Sequence, residues 1–188
     1  MFVGAGIVQM GDIPAFIERH NNETERYFVF KIWAVGENEK NQFKPHRPDS
    51  PEYFNKIIQP WLSGSARDTI ALEKNLGHKD LLGAWYVHPT IRRRPFHFIS
   101  ALHRSKILLI GGFHPSMRNG IDFDDDELAL RISRVVKETV FVPDEGIFGV
   151  HLWHSRPMYE VADVALKRKE NMLVLEETRR KKNLTWVN

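Results

Sequence analysis

FHFISALHRSKILLIGGF, residues 96–113, holds two apolar runs divided by the polar link His103-Arg104-Ser105. FHFISAL (96–102) and KILLIGGF (106–113) are rich in β-branched and aromatic residues, so both read as strands. The short link makes them a hairpin, although the Asn-Gly type of turn is missing. LGAWYV (82–87) reads as a third strand just upstream. Three strands in succession, the last two joined by a short link, set the expectation of a central, largely antiparallel sheet.

Outward from this segment the chain mixes strands and helices. Residues 1–10 read as a strand with two glycines, and YFVFKIWAV (27–35) as another. DIPAFIERH (12–20) reads as a short helix, with Asp12 as N-cap and a proline in the first turn. Ser50-Pro51 opens a helix that ends near Trp61, and a second runs from about Ser65 to Leu76, closed by Gly77. Asp124–Thr139 is the clearest helix. Asp124 and Glu127 have capping-box spacing, Glu127 and Arg131 form an i,i+4 pair, and Leu128, Ile132, Val135 and Val136 share one face. Strands follow at 140–142 and 147–153, around Pro143-Asp-Glu-Gly146. A long helix then spans about 157–182, with Met158, Val161, Ala165, Met172 and Leu175 close to a seven-residue rhythm. The irregular order predicts a single α+β domain over 1–188, not a regular βαβ array.

Composition narrows the chemistry. The chain has 188 residues, enough for one self-sufficient core. It has no cysteine, which removes disulfides, thiolate metal sites and cysteine nucleophiles. A cysteine-free chain with no secretory signal and no run of about 18 apolar residues is expected in the cytoplasm, away from membranes. Gly4-Ala5-Gly6 begins like a dinucleotide fingerprint, but position 9 is Gln9 where the third glycine belongs. There is no P-loop and no Gly-x-Ser-x-Gly elbow. No cofactor, metal or catalytic residue is assigned.

Charge placement carries the functional reading. The formal net charge is only +3, yet no Asp or Glu lies between Asp80 and Asp122. That window holds Arg92, Arg93, Arg94, Arg104, Lys106 and Arg118, interleaved with Trp85, Tyr86, Phe96, Phe98 and Phe113. Cations that meet phosphates, beside flat rings that meet bases, are what a nucleic-acid surface uses. The C-terminal helix adds Lys167, Arg168, Arg179 and Arg180, although basic residues also suit a helix end for dipole reasons. The expected function is nucleic-acid binding, DNA or RNA, without catalysis, through the basic and aromatic hairpin region (about 82–118) and this helix. Its near-heptad stripe packs on the core, on a second copy or on a larger assembly.

Two other classes compete. A phosphate-ester hydrolase or nuclease would gather His97, His103, Asp122 and Asp124 in one cleft. A structural or assembly subunit would expose apolar surface instead of a positive patch, and Trp61, Trp85, Trp153 and Trp186 would help to decide. The acids Asp122 and Asp124–Glu127 could hold magnesium, but acids at a helix start are favoured by capping alone. His151 and His154, three apart on a strand, would face opposite sides.

Overall fold

A computed structural model describes residues 2–3, 7–34, 87, 93–96, 99–118, 120–142, 147–151 and 162–181. In chain order the elements are β1 (Phe2–Val3), β2 (Ile7–Met10), α1 (Ile13–His20), β3 (Arg26–Val29), β4 (Lys31–Ala34) and β5 (Ile99–Leu102). They continue with α2 (Arg104–Ile110), a 3-10 turn (Pro115–Met117), α3 (Asp124–Val135), β6 (Glu138–Phe141), β7 (Phe148–His151) and α4 (Val164–Lys181). The fold is α+β.

The strands form two mixed sheets, ordered β1-β5-β3-β6 and β2-β7-β4. β1 with β5, β3 with β5, and β2 with β7 are antiparallel, while β3 with β6 and β4 with β7 are parallel. The expected 27–35 strand is therefore shared between sheets. β3 and β4 are divided only by Phe30, and each runs parallel to a segment of the same later stretch. Val29 faces Phe141 and Lys31 faces Phe148. Phe30 is fully buried there, and its N–H leaves the β6 side to donate to Ile99 O at 3.1 Å.

A single core fills the space between sheet and helices. Phe16 of α1 meets Phe28 and Phe30 edge to face, with centroids 5.2 and 5.0 Å away. Such rings contribute about 1.5–3 kcal/mol each through burial, and edge-to-face contact adds to this. Tyr27, Ile32, Ile99, Ile110, Leu128 and Ile132 complete the centre. The expected cap of α1 is present, with Ala15 N–H donating to Asp12 Oδ1 at 2.9 Å.

Three expectations are corrected. First, KILLIGGF is not a strand, so there is no 96–113 hairpin. Strand β5 ends at Leu102, and α2 begins two residues later, with the His103 side chain accepting from Ser105 N–H. Gly111 (φ 76°) ends it, and Gly111 and Gly112 donate to Leu108 O and Ile107 O. That is a Schellman closure, which needs left-handed residues and finds glycines there. Within α2 only Ile110 is buried, while Leu108 and Leu109 are exposed.

Second, Asp124 and Glu127 form no capping box. Phe123 is the N-cap, without a side-chain bond, and Asp122 and Phe123 both have positive φ (54° and 67°). Glu127 turns inward instead. Its predicted partner Arg131 is bound bidentately, Nε to Oε1 and Nη2 to Oε2, both at 2.6 Å and fully buried.

Third, the buried line of α4 keeps the expected Leu175 but takes Asn171 in place of Met172. Asn171 and Leu175 are buried, whereas Ala165 and Met172 are exposed. Asn171 Nδ2 donates to Ile121 O (2.7 Å) and Asp122 O (3.1 Å), which fixes the left-handed turn before α3.

The helices expected at 50–76, the strand at 82–87 apart from Val87, the turn at 143–146 and the stretch 157–161 lie outside the described residues. Val87 makes one antiparallel bridge to Ile32. Among the described residues, no helix is long and apolar enough to cross a membrane.

Candidate functional site

A carboxylate from elsewhere in the chain reaches one cation of the acid-free window, Lys106. Lys106 Nζ lies 2.5 Å from Glu25 Oε1 and is largely covered. That contact, more than any other, holds the Glu25 carboxyl below its ordinary range. On α4, Lys167 pairs with Asp163 (3.4 Å) and Arg168 with Asp122 (2.8 Å). Arg168 also lies over the Phe123 ring at 5.9 Å. These three cations hold the fold's own acids.

Arg93 and Arg94 are placed differently. Both are exposed, and each guanidinium lies over a ring: Arg93 over Phe141 (4.7 Å) and Arg94 over Phe96 (5.5 Å). Stacking on an aromatic face orders a guanidinium without consuming its charge or its N–H donors. The segment is anchored by Tyr27, whose hydroxyl donates to Pro95 O at 3.3 Å.

Asp126, on α3, lies within electrostatic reach of both Arg94 and the end of α4. Burial raises the Asp126 carboxyl, neighbouring Asp125 raises it further, and the charges of Arg94 and Arg179 oppose that rise. One carboxyl thus feels both a residue of the 93–94 segment and a residue of the α4 terminus. Arg134 fixes that terminus by donating to Thr178 O at 2.9 Å and Arg179 O at 3.4 Å. Donation to terminal carbonyls satisfies groups that a helix end leaves open. Arg179 and Arg180 both remain exposed there, while Lys181 is paired with Glu177 at 2.5 Å.

Arg104 and Arg118 are exposed and make no ion pair among the described residues. Arg118 follows the 3-10 turn, and Arg104 opens α2 beside a different feature, a cleft of about 570 Å³. Arg92 lies outside the described residues.

The cleft was not foreseen. Its floor includes Phe16 and Phe28, and its rim carries His20, Glu23, Arg26 and His103. His20 Nδ1 is 2.8 Å from Glu23 Oε1, and Arg26 binds Glu23 Oε2 at 2.5 Å and Glu138 at 2.8 Å. The His20 contact first, then Arg26, holds the Glu23 carboxyl below its usual range. A His three residues before a Glu, at the end of a helix, was the available signal.

The hydrolase set does not meet in that cleft. His103 lines it, Asp122 holds Arg168, Asp124 opens α3, and His97 lies outside the described residues. No group of three or more metal-ligating side chains occurs among the described residues. For the assembly reading, Leu108, Leu109 and Phe113 are exposed on α2 and the turn after it. The four tryptophans named above lie outside the described residues. Comparison of the chain with protein-family models, curated proteins and solved structures gives no match.

Proposed function

We propose that this protein binds nucleic acid, without catalysis, through a surface made by Arg93 and Arg94 with Arg179 and Arg180 at the end of α4. The observation that supports the reading is the pair of charges, Arg94 and Arg179, acting on the single carboxyl of Asp126. Two segments far apart in sequence thus each bring a cation within electrostatic reach of one carboxyl, and a phosphate chain binds more tightly where it meets several cations at once. Two of the four guanidiniums are ordered on rings, which lowers the cost of holding them against phosphates. The surface replaces the hairpin that the sequence suggested.

Asp126 lies in the field of two of these cations, Arg94 and Arg179, and repels a polyanion. Asp126→Asn is therefore expected to tighten binding of a labelled 20-nucleotide strand several-fold, about 1 kcal/mol for one removed charge near the surface. Wild-type affinity should also rise as pH falls through the raised range of that carboxyl, and the Asn variant should lose this component. Fluorescence anisotropy with single-stranded and duplex DNA and RNA reads both effects. Absence of binding to all four at low salt, or weaker binding by Asp126→Asn, contradicts the proposal.

A further inference from the structure

We infer that the cleft between α1 and the β5–α2 junction binds a phosphate monoester of nucleotide size that also carries a hydroxyl group. The inference rests on two histidines held in opposite tautomers. Glu23 is ionised and can only accept, so its 2.8 Å contact requires that His20 Nδ1 carry the proton. In the neutral ring His20 Nε2 is then an acceptor. At His103 the logic reverses. Ser105 N–H can only donate, and it donates to His103 Nδ1 at 3.3 Å, with Ser105 Oγ at 2.7 Å from the same nitrogen. His103 Nδ1 is therefore unprotonated, and Nε2 carries the hydrogen. Neither Nε2 makes a hydrogen bond among the described residues.

The cleft thus offers one imidazole acceptor, one imidazole donor and the guanidinium of Arg104, over a floor that includes Phe16 and Phe28. Phosphate oxygens accept from His103 Nε2–H and Arg104, where a charged donor gives the stronger bond. A ligand hydroxyl donates to His20 Nε2. Glu23 adds one negative charge to the rim, but Arg26 and His20 already occupy both of its oxygens. A volume of about 570 Å³ suits a nucleotide.

The test is calorimetric titration of the full chain with adenosine 5′-monophosphate, with adenosine as the arm that lacks phosphate. The nucleotide should bind at least ~10-fold more tightly than adenosine, since charge-assisted hydrogen bonds are lost without the phosphate. Arg104→Ala should weaken nucleotide binding ~10-fold or more. His103→Asn should do the same while its amide oxygen keeps the α2 cap. Circular dichroism melts verify that both variants fold, and failure of one leaves the other to decide. A 5′-phosphorylated strand compared with a 5′-hydroxyl strand separates a terminal nucleotide from a free one as the source, and preference for either keeps the ligand class. No nucleotide binding, equal binding of adenosine, or unchanged binding by the folded variants overturns the inference. Arg93→Ala/Arg94→Ala should leave nucleotide binding intact, so this test and that of the nucleic-acid surface fail independently.

Discussion

Arg131→Met is expected to destabilise the fold by about 3–5 kcal/mol, the range for removing one partner of a buried ion pair. Arg131 and Glu127 are the charged side chains on α3 that are almost wholly buried. Beyond the bidentate pair, Arg131 Nη1 donates to Ile110 O at 2.5 Å and Nη2 to Gly112 O at 2.7 Å. Those carbonyls close the C-terminal end of α2. Thr178 Oγ1 donates to Glu127 Oε1 at 3.1 Å from α4. One ion pair therefore joins three helices. Methionine fills similar volume but leaves two carbonyls without the Arg131 donor and a buried carboxylate with Thr178 in place of its cation. Glu127→Leu together with Arg131→Met removes both charges and should recover much of the loss. Urea unfolding of the three proteins checks this. A loss below about 1 kcal/mol for Arg131→Met, or no recovery in the double variant, contradicts the assignment.

The second large effect concerns the proposed nucleic-acid surface. If four arginines each meet a phosphate, the logarithm of duplex affinity falls with the logarithm of salt with a slope of about −3 to −4, or roughly 100-fold between 50 and 200 mM. Arg93→Ala, Arg94→Ala, Arg179→Ala and Arg180→Ala together should flatten that slope and weaken binding at low salt by a similar factor. None of the four holds an ion pair of the fold within 4 Å among the described residues, so the melting temperature should move little. Lys106, Lys167 and Arg168 do hold such pairs, and their removal tests stability more than binding.

The sequence was legible where local chemistry and tertiary environment agree. Asp12 before a proline-bearing first turn reads as a cap and is one. Glu127 and Arg131 read as a helix pair and are one, although burial turns a surface pair into the joint of three helices. KILLIGGF misled because its apolar, β-branched run fits a strand as well as a helix. The deciding signal was Gly111-Gly112, a left-handed closure, rather than the composition before it. In α4 the apolar rhythm pointed to Met172, because Asn171 is polar and its reason for burial lies in two carbonyls some fifty residues earlier.

The candidate sites were less legible for a related cause. Absence of carboxylates along the chain does not mean their absence in space. Glu25 reaches Lys106 from the neighbouring strand end, and the Asp126 carboxyl feels the charge of Arg94. Nor does spacing reveal that Arg94 and Arg179 act on one carboxyl, since the packing of α4 on α3 decides that. The cleft rests on His20 and His103, which no short motif joins.

Arginine modification by phenylglyoxal, with and without a bound oligonucleotide and read by mass spectrometry, probes where the strand lies. Arg93, Arg94, Arg179 and Arg180 should become protected together, while Arg118 keeps its reactivity. Protection of Arg118 with the four left reactive, or no protection in a saturated complex, would contradict the account.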